Sequence, residues 1–315
     1  MRSCQKPENP MLLDAFLPIV IVIVLGLVLS RTPLGSGPVW ELLERLTYYL
    51  FFPALLVLQL SATRVVMDGV LEIAMALGLA LFVLTILMVG LRKFIAPEAA
   101  ALSSVYQGSI RFNTYIGLAV VGALYGDDGL RLAALCLLVY IPAVNVLSVI
   151  SLTAGNQDSS KRILVAAGSV VTNPLVLACL LGLLLSEGMV RLPDLAYEVL
   201  EIISEPALPL GLLAVGAGIQ FIALGQQSWQ LLVAGFNKLL AFPALVLAAC
   251  LLFALPRDLA LVLLLLTALP APPSAFILAR QLGGNAPLMA NIISLQTVAA
   301  FLVIPLWLEL GERFL

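Results

Sequence analysis

The sequence predicts an all-α membrane protein whose ten transmembrane helices form two inverted five-helix repeats, and three observations carry that prediction. The 315 residues are 62% hydrophobic and only 11% charged, with a mean hydropathy of +1.12, whereas a soluble domain averages roughly 45–50% apolar and 25% charged residues. The polar residues are too few to cover a water-facing exterior, so the apolar excess must face lipid. The second observation is a succession of apolar runs of spanning length, and a helix crossing the hydrocarbon core takes about 20 residues. The third is an internal echo that recurs about half a chain apart.

Taken in order, the first span covers 11–29. Behind Arg2 and Lys6 it has the outline of a signal peptide. No small-x-small cleavage site follows Leu29, and the same stretch recurs deep in the chain, so it reads as a helix of the protein itself. The second span, 42–60, is flanked by Arg31, Trp40, Arg45 and Tyr48-Tyr49, and the third, 66–91, lies between Arg64 and the pair Arg92-Lys93. The fourth, 98–124, ends at the turn Gly126-Asp127-Asp128-Gly129, and the fifth covers 130–152. The sixth, 162–186, starts at Lys161-Arg162, and the seventh, 199–223, follows Arg191. The eighth, 229–255, opens on Trp229, the ninth, 258–280, follows Arg257, and the tenth, 286–309, carries Trp307 near its end. Backbone amides in hydrocarbon must be bonded within their own segment, so these runs are helices. Aromatic residues near their ends read as interfacial anchors.

Connections 1–2, 3–4 and 5–6 carry the denser basic residues, which places them in the cytoplasm and both termini outside, against the contrary pull of Arg2 and Lys6. The expected setting is a bacterial inner (plasma) membrane with periplasmic termini.

The echo defines the repeats. Pro18, Gly26, Leu27, Leu29 and Ser30 recur as Pro174, Gly182, Leu183, Leu185 and Ser186 at an offset of 156. Pro53-Ala54-Leu55 matches Pro206-Ala207-Leu208 at 153, and the turn at Gly126 matches that at Gly283 at 157. The chain therefore divides into a first five-helix repeat, 1–155, and a second, 156–315. Because five is odd, the second copy enters from the opposite face and the two are inverted. That arrangement is typical of transporters, which place the solute near the midplane between helices broken in mid-membrane.

Matching breaks are visible. The fourth span has Arg111-Phe112-Asn113-Thr114-Tyr115 near its centre, and 157 residues on the ninth reads Ala268-Leu269-Pro270-Ala271-Pro272-Pro273-Ser274. Three prolines within four residues cannot lie in an unbroken helix, because each removes an amide donor and crowds the preceding turn. Arg111 is too deep to snorkel, and insertion scales put such a placement at about 2.5–3.5 kcal/mol. It lines a wet cavity or meets an anion, or else pairs with a carboxylate such as Glu72 or Glu205. Asn113 either shapes the break or bonds a neighbouring helix. Lys238, with Asn237, either snorkels or faces the pathway. Asn145, Asn291, Ser294, Gln296 and Thr297 add hydrogen-bonding groups on helices five and ten. Two half-helix N-termini together with Arg111 suit a carboxylate.

Other chemistry is disfavoured. The net charge is −2, no basic cluster exceeds a pair, and nucleic-acid binding is set aside. The chain has no histidine, and Cys4, Cys136, Cys179 and Cys250 lack metal or disulfide spacing, so neither metal nor cofactor is expected. A membrane enzyme acting on lipid would have only Asp127-Asp128 as an acid pair, in what reads as a solvated turn. A sensor or assembly subunit is a further alternative.

At the two breaks the sequence resembles the auxin efflux carrier family, which includes plant PIN-type and bacterial malonate-transporter-like carriers. The resemblance rests on Asn113-Thr114, Gly117 and Ala123-x-Tyr125-Gly126 in the first half, and on Ala268-Leu269-Pro270, Phe276 and Ala279 in the second. It implies crossing of the broken helices four and nine, as in bile acid symporter-like folds, and elevator-like transport of a small organic anion, not an enzymatic activity. It also implies a scaffold of helices 1, 2, 6 and 7, often in a homodimer, with helices 3–5 and 8–10 mobile, and puts Asn113 and Pro270 at the crossover. Two departures stand out. Ala119 replaces a proline common in the family, which implies a less sharply bent first crossover. No acidic residue lies near the ninth-helix break, which speaks against sodium coupling of the symporter type and leaves a proton or sodium open as coupling ion. The expected substrate-binding residues are Arg111, Asn113, Thr114, Tyr115, Pro270, Pro272, Pro273, Ser274, Asn145, Lys238 and Asn291. The expected partners are a mono- or dicarboxylate and membrane lipid.

Overall fold

A computed structural model describes residues 12–33, 39–61, 68–154, 165, 167–168, 170–186, 192–219 and 227–315. Among them the chain is all-helical, without strands. The elements are α1 (Leu12–Leu29), α2 (Val39–Leu46), α3 (Phe52–Ser61), α4 (Asp68–Gly90), α5 (Arg92–Ile95), α6 (Ala99–Ile110) and α7 (Thr114–Leu152). There follow α8 (Pro174–Ser186), α9 (Asp194–Ser204), α10 (Ala207–Ala217), α11 (Ser228–Phe236), α12 (Phe242–Leu252), α13 (Arg257–Thr267), α14 (Ser274–Leu282) and α15 (Ala286–Phe314). Among the described residues, five stretches are long and apolar enough to cross a bilayer: Gly69–Gly90, Ala99–Leu152, Asp194–Ala217, Ser228–Leu252 and Ala286–Phe314. Large apolar side chains such as Leu195, Leu252 and Leu302 lie exposed on the outside, as a lipid-covered surface requires.

Two helix pairs pack most closely: α1 on α10, and α3 on α8. Without a hydrophobic drive between helices in lipid, close approach depends on small residues. A Cβ on Gly26 would stand 2.1 Å from the Leu213 carbonyl oxygen, and one on Gly216 would stand 1.8 Å from that of Ile23. Gly182, the echo of Gly26, meets Leu60, Leu56 and Val57 of α3 in the same manner. The other echoed landmarks also take structural roles. Pro206 stands at the N-cap position of α10, where α9 and α10 meet, and Gly126 and Gly283 both adopt positive φ, at 59° and 85°. Gly126 bends the long stretch within α7, where a side chain would be strained.

A second device is written in Phe-Pro-Ala-Leu, which occurs at 52–55 and 242–245. Each copy follows a π turn, Thr47–Phe51 and Asn237–Ala241. Proline deprives the helix of one amide and crowds the preceding turn; widening that turn relieves the clash. The Phe52 amide accordingly reaches back to Thr47, and that of Phe242 to Asn237.

Trp307, expected as an interfacial anchor, is instead buried, and its indole N–H donates to the Leu239 carbonyl at 2.7 Å. Cys136, Cys179 and Cys250 are buried free thiols, packed as small apolar groups.

Candidate functional site

The expected breaks are both present. Helix α6 ends at Ile110, residues 111–113 are non-helical, and α7 restarts at Thr114. Asn113 caps the new helix, its side-chain oxygen accepting from the amides of Tyr115 and Ile116 at 3.0 and 3.3 Å. That cap supplies a helix-start signal without a proline. Helix α13 ends at Thr267, and the prolines hold the chain open until α14 begins at Ser274.

The two breaks touch. The Asn113 backbone N–H donates to the Pro270 carbonyl at 2.7 Å, and Gly117 leaves room for the side chains of Leu266 and Leu269. Gln107 donates to the Ala275 carbonyl at 3.2 Å. Gln296 of α15 clasps both sides: its amide nitrogen donates to the Gly108 and Ala234 carbonyls, and its oxygen accepts from the Ala271 N–H, all within 3.0 Å.

Beside this crossing lies a cavity of about 610 Å³. Arg111, Phe112, Asn113, Thr114 and Tyr115 form one wall, and Pro272, Pro273 and Ser274 with Ile277, Leu278 and Gln281 form a second. Ile141, Val144, Asn145 and Val149 of α7, and Asn173 with Leu175 at the start of α8, complete the inner side. Glu41, Glu44, Arg45, Tyr48 and Tyr49 face them from α2 and its π turn. The N-terminal ends of α7 and α14 thus both open on the cavity, and such ends carry partial positive charge.

Arg111 adds a full charge. Its guanidinium donates to the Ser274 hydroxyl at 3.3 Å, while its buried Nε has no partner. Ion pairs among the described residues are Arg45 with Glu41 and Arg131 with Asp128, so neither Glu72 nor Glu205 neutralises Arg111. The Asn113 Nδ2 is also buried without a partner. Two aromatic stacks brace the wall: Phe112 on Tyr140, centroids 4.1 Å apart, and Tyr115 on Phe52 at 4.7 Å.

The cavity thus gathers Arg111, Asn113, Thr114, Tyr115, Pro272, Pro273, Ser274 and Asn145 from the expected set. Pro270, Lys238 and Asn291 are not on its wall. The Pro270 carbonyl is spent on Asn113, Asn291 is buried on α15, and Lys238 lies where its Nζ meets the Tyr140 hydroxyl at 3.1 Å. Residues 41–49 were read only as a span boundary, yet they supply a whole wall. Asn173 could have been found from the sequence, because Asn-Pro at the start of an apolar run is a helix-start signal, and it caps α8. The acid pair of the 126–129 turn is engaged structurally: Asp128 holds Arg131 at 2.6 Å and Asp127 accepts from Gln59 of α3 at 3.3 Å.

Residues 162–308 match the model of a family described as membrane transport protein; the match contains the whole 268–273 break. No curated protein matches the chain.

Proposed function

Residues 162–308 carry the auxin efflux carrier family domain, and on that premise we propose that the protein is a secondary carrier for a small organic anion, a mono- or dicarboxylate. The observation that carries the reading is Arg111, a cation deep in the chain without an ion-pair partner among the described residues, beside two half-helix N-termini on one cavity. Arg111 stays unpaired although Glu44 lines the same cavity, and an entering anion supplies its partner. The carboxylate sits against Arg111, Ser274, Thr114 and the Asn113 amide. The carbon body lies along Ile141, Val144, Leu175 and Ile277, between Tyr48 and Tyr115.

The reading includes ten spans in two inverted repeats. Reciprocal packing supports it, since the first helix of each half lies on the second span of the other, through Gly26 in one case and Gly182 in the other. Spans 1, 2, 6 and 7 form a scaffold that pairs in a homodimer, and the remaining spans move the cavity across it. The cavity is lined by the start of the second span, the end of the fifth, the first turn of α8 within the sixth and the end of the ninth. These share the face of the basic connections, so it opens to the cytoplasm, and the termini are periplasmic in a bacterial inner membrane.

Uptake of labelled organic acids into proteoliposomes tests this. Saturable uptake of a carboxylate, with a much higher half-saturation in Arg111→Gln, is expected. Uptake of neutral or cationic solutes alone would overturn the anion assignment. Equal behaviour of Arg111→Gln would remove Arg111 from the site.

A further inference from the structure

The residues lining the cavity include two cations, Arg45 and Arg111, and two carboxylates, Glu41 and Glu44. They do not pair off. Arg45 donates to Glu41 at 2.6 Å, four residues earlier on α2, with the acid on the N-terminal side as such pairs favour. Arg111 and Glu44 are left over, and neither has an ion-pair partner among the described residues.

Glu44 owes its isolation to helical spacing. Its neighbours one turn away, along α2 and the π turn that follows, are Trp40, Glu41, Thr47 and Tyr48, and none is a cation. Positions 41, 44, 45 and 48 share one helix face, which is why all four reach the cavity. Glu44 is half-buried there, whereas Glu41 and Arg45 are exposed, so its charge is the less screened.

The groups that attract an anion gather on the wall that Glu44 faces. Arg111 donates to Ser274, the first residue of α14, whose start has no side-chain cap. The start of α8 also reaches the cavity, but there Asn173 already accepts from the Leu175 and Val176 amides. One carboxylate is therefore received at Arg111. A second carboxylate on the same small solute meets no free cation, and the unpaired charge that remains on the wall is the like charge of Glu44. Sites discriminate between solutes by such repulsive elements as well as by attractive ones.

We propose that Glu44 is a charge filter in the substrate cavity, admitting monocarboxylates and rejecting dicarboxylate dianions. This rests on the carrier reading above and narrows its substrate class to acids with one ionised group. Glu44 sets specificity without holding the substrate carboxylate itself.

The test compares malonate, succinate and glutarate with their half-amides at neutral pH. Each half-amide keeps the shape of its parent and replaces one carboxylate with a neutral carboxamide. Thermal unfolding of the purified full chain reads binding, and uptake of the labelled pairs into proteoliposomes should follow the same order. The wild type is expected to bind a half-amide about ten- to a hundredfold more tightly than the matching dicarboxylate, the scale of one partly screened like-charge contact. Glu44→Gln should bring the two close to parity, and Glu44→Asp, which keeps the charge, should keep the preference. A wild type that binds the dicarboxylate as well as the half-amide, or better, would overturn the proposal. An undiminished preference in Glu44→Gln would do the same. So would tighter binding of the matching ω-amino acid than of the half-amide, because Glu44 would then be holding an ammonium. Each of these results leaves the carrier reading standing. If neither series binds or enters, the anion assignment fails, and the filter fails with it.

Discussion

Replacing Gln296 with leucine, similar in shape but without hydrogen-bonding groups, probes the crossing at its most connected point. Gln296 is 0% exposed and serves three backbone groups on three segments. The Ala234 carbonyl also receives the Asn237 amide and keeps a partner. The Ala271 N–H and the Gly108 carbonyl lose theirs, in a place water does not reach. An orphaned buried polar group costs about 1–3 kcal/mol, which for two such groups gives about 2–6 kcal/mol. Side-chain hydrogen bonds between membrane helices measure lower, averaging about 0.6 kcal/mol in one well-studied case. The expectation therefore falls at the lower end, about 2–3 kcal/mol. Reversible unfolding in mixed detergent–lipid micelles measures it. Gln296→Glu, protonated in so dry a site, keeps an acceptor for Ala271 and one donor, so it should lose roughly half as much. A loss below about 0.5 kcal/mol for Gln296→Leu would refute the claim that this side chain ties the two breaks together.

Three further outcomes follow from the same geometry. Arg111→Gln should raise the half-saturation constant for a carboxylate about ten- to a hundredfold, the equivalent of one charge-assisted hydrogen bond, and dose–response uptake reads it directly. Gly216→Ala should destabilise by about 1–3 kcal/mol in thermal or detergent unfolding, because its Cβ meets the Ile23 carbonyl; Gly78→Ala, with nothing within 4 Å, should be neutral or slightly stabilising. In a chain with the four native cysteines replaced, a short bifunctional thiol reagent joining Gln59→Cys to Asp127→Cys should abolish transport reversibly. Those residues link the proposed scaffold to the 126–129 turn on the face opposite the cavity mouth; undiminished transport after complete cross-linking would show that this contact need not break.

The broken segments were legible in the sequence for different reasons. At 268–273 the prolines force the interruption by covalent geometry alone. At 111–113 only the polar cluster marked it, and the structure shows why no proline was needed: Asn113 caps α7 with its side chain while its amide reaches Pro270. The glycine echoes were equally readable, since a missing Cβ is required wherever two backbones nearly touch. The wall from residues 41–49 was not. Glu41, Arg45 and Tyr48 look like the polar start of a span, and only the packing of α3 on α8 turns that start toward Arg111. Lys238 shows the same limit. Its depth was evident, but its direction depends on the π turn ahead of Pro243, which repeats at Pro53 and becomes readable once Phe-Pro-Ala-Leu is seen twice.

Counterflow bears most directly on the carrier assignment. Proteoliposomes loaded with an unlabelled carboxylate and diluted into a trace of the labelled acid should accumulate label transiently above equilibrium, through a cavity that faces each side in turn. The overshoot should shrink in Arg111→Gln. Label that only equilibrates, with no overshoot for any acid that demonstrably enters, would contradict alternating exposure of the site at the crossing.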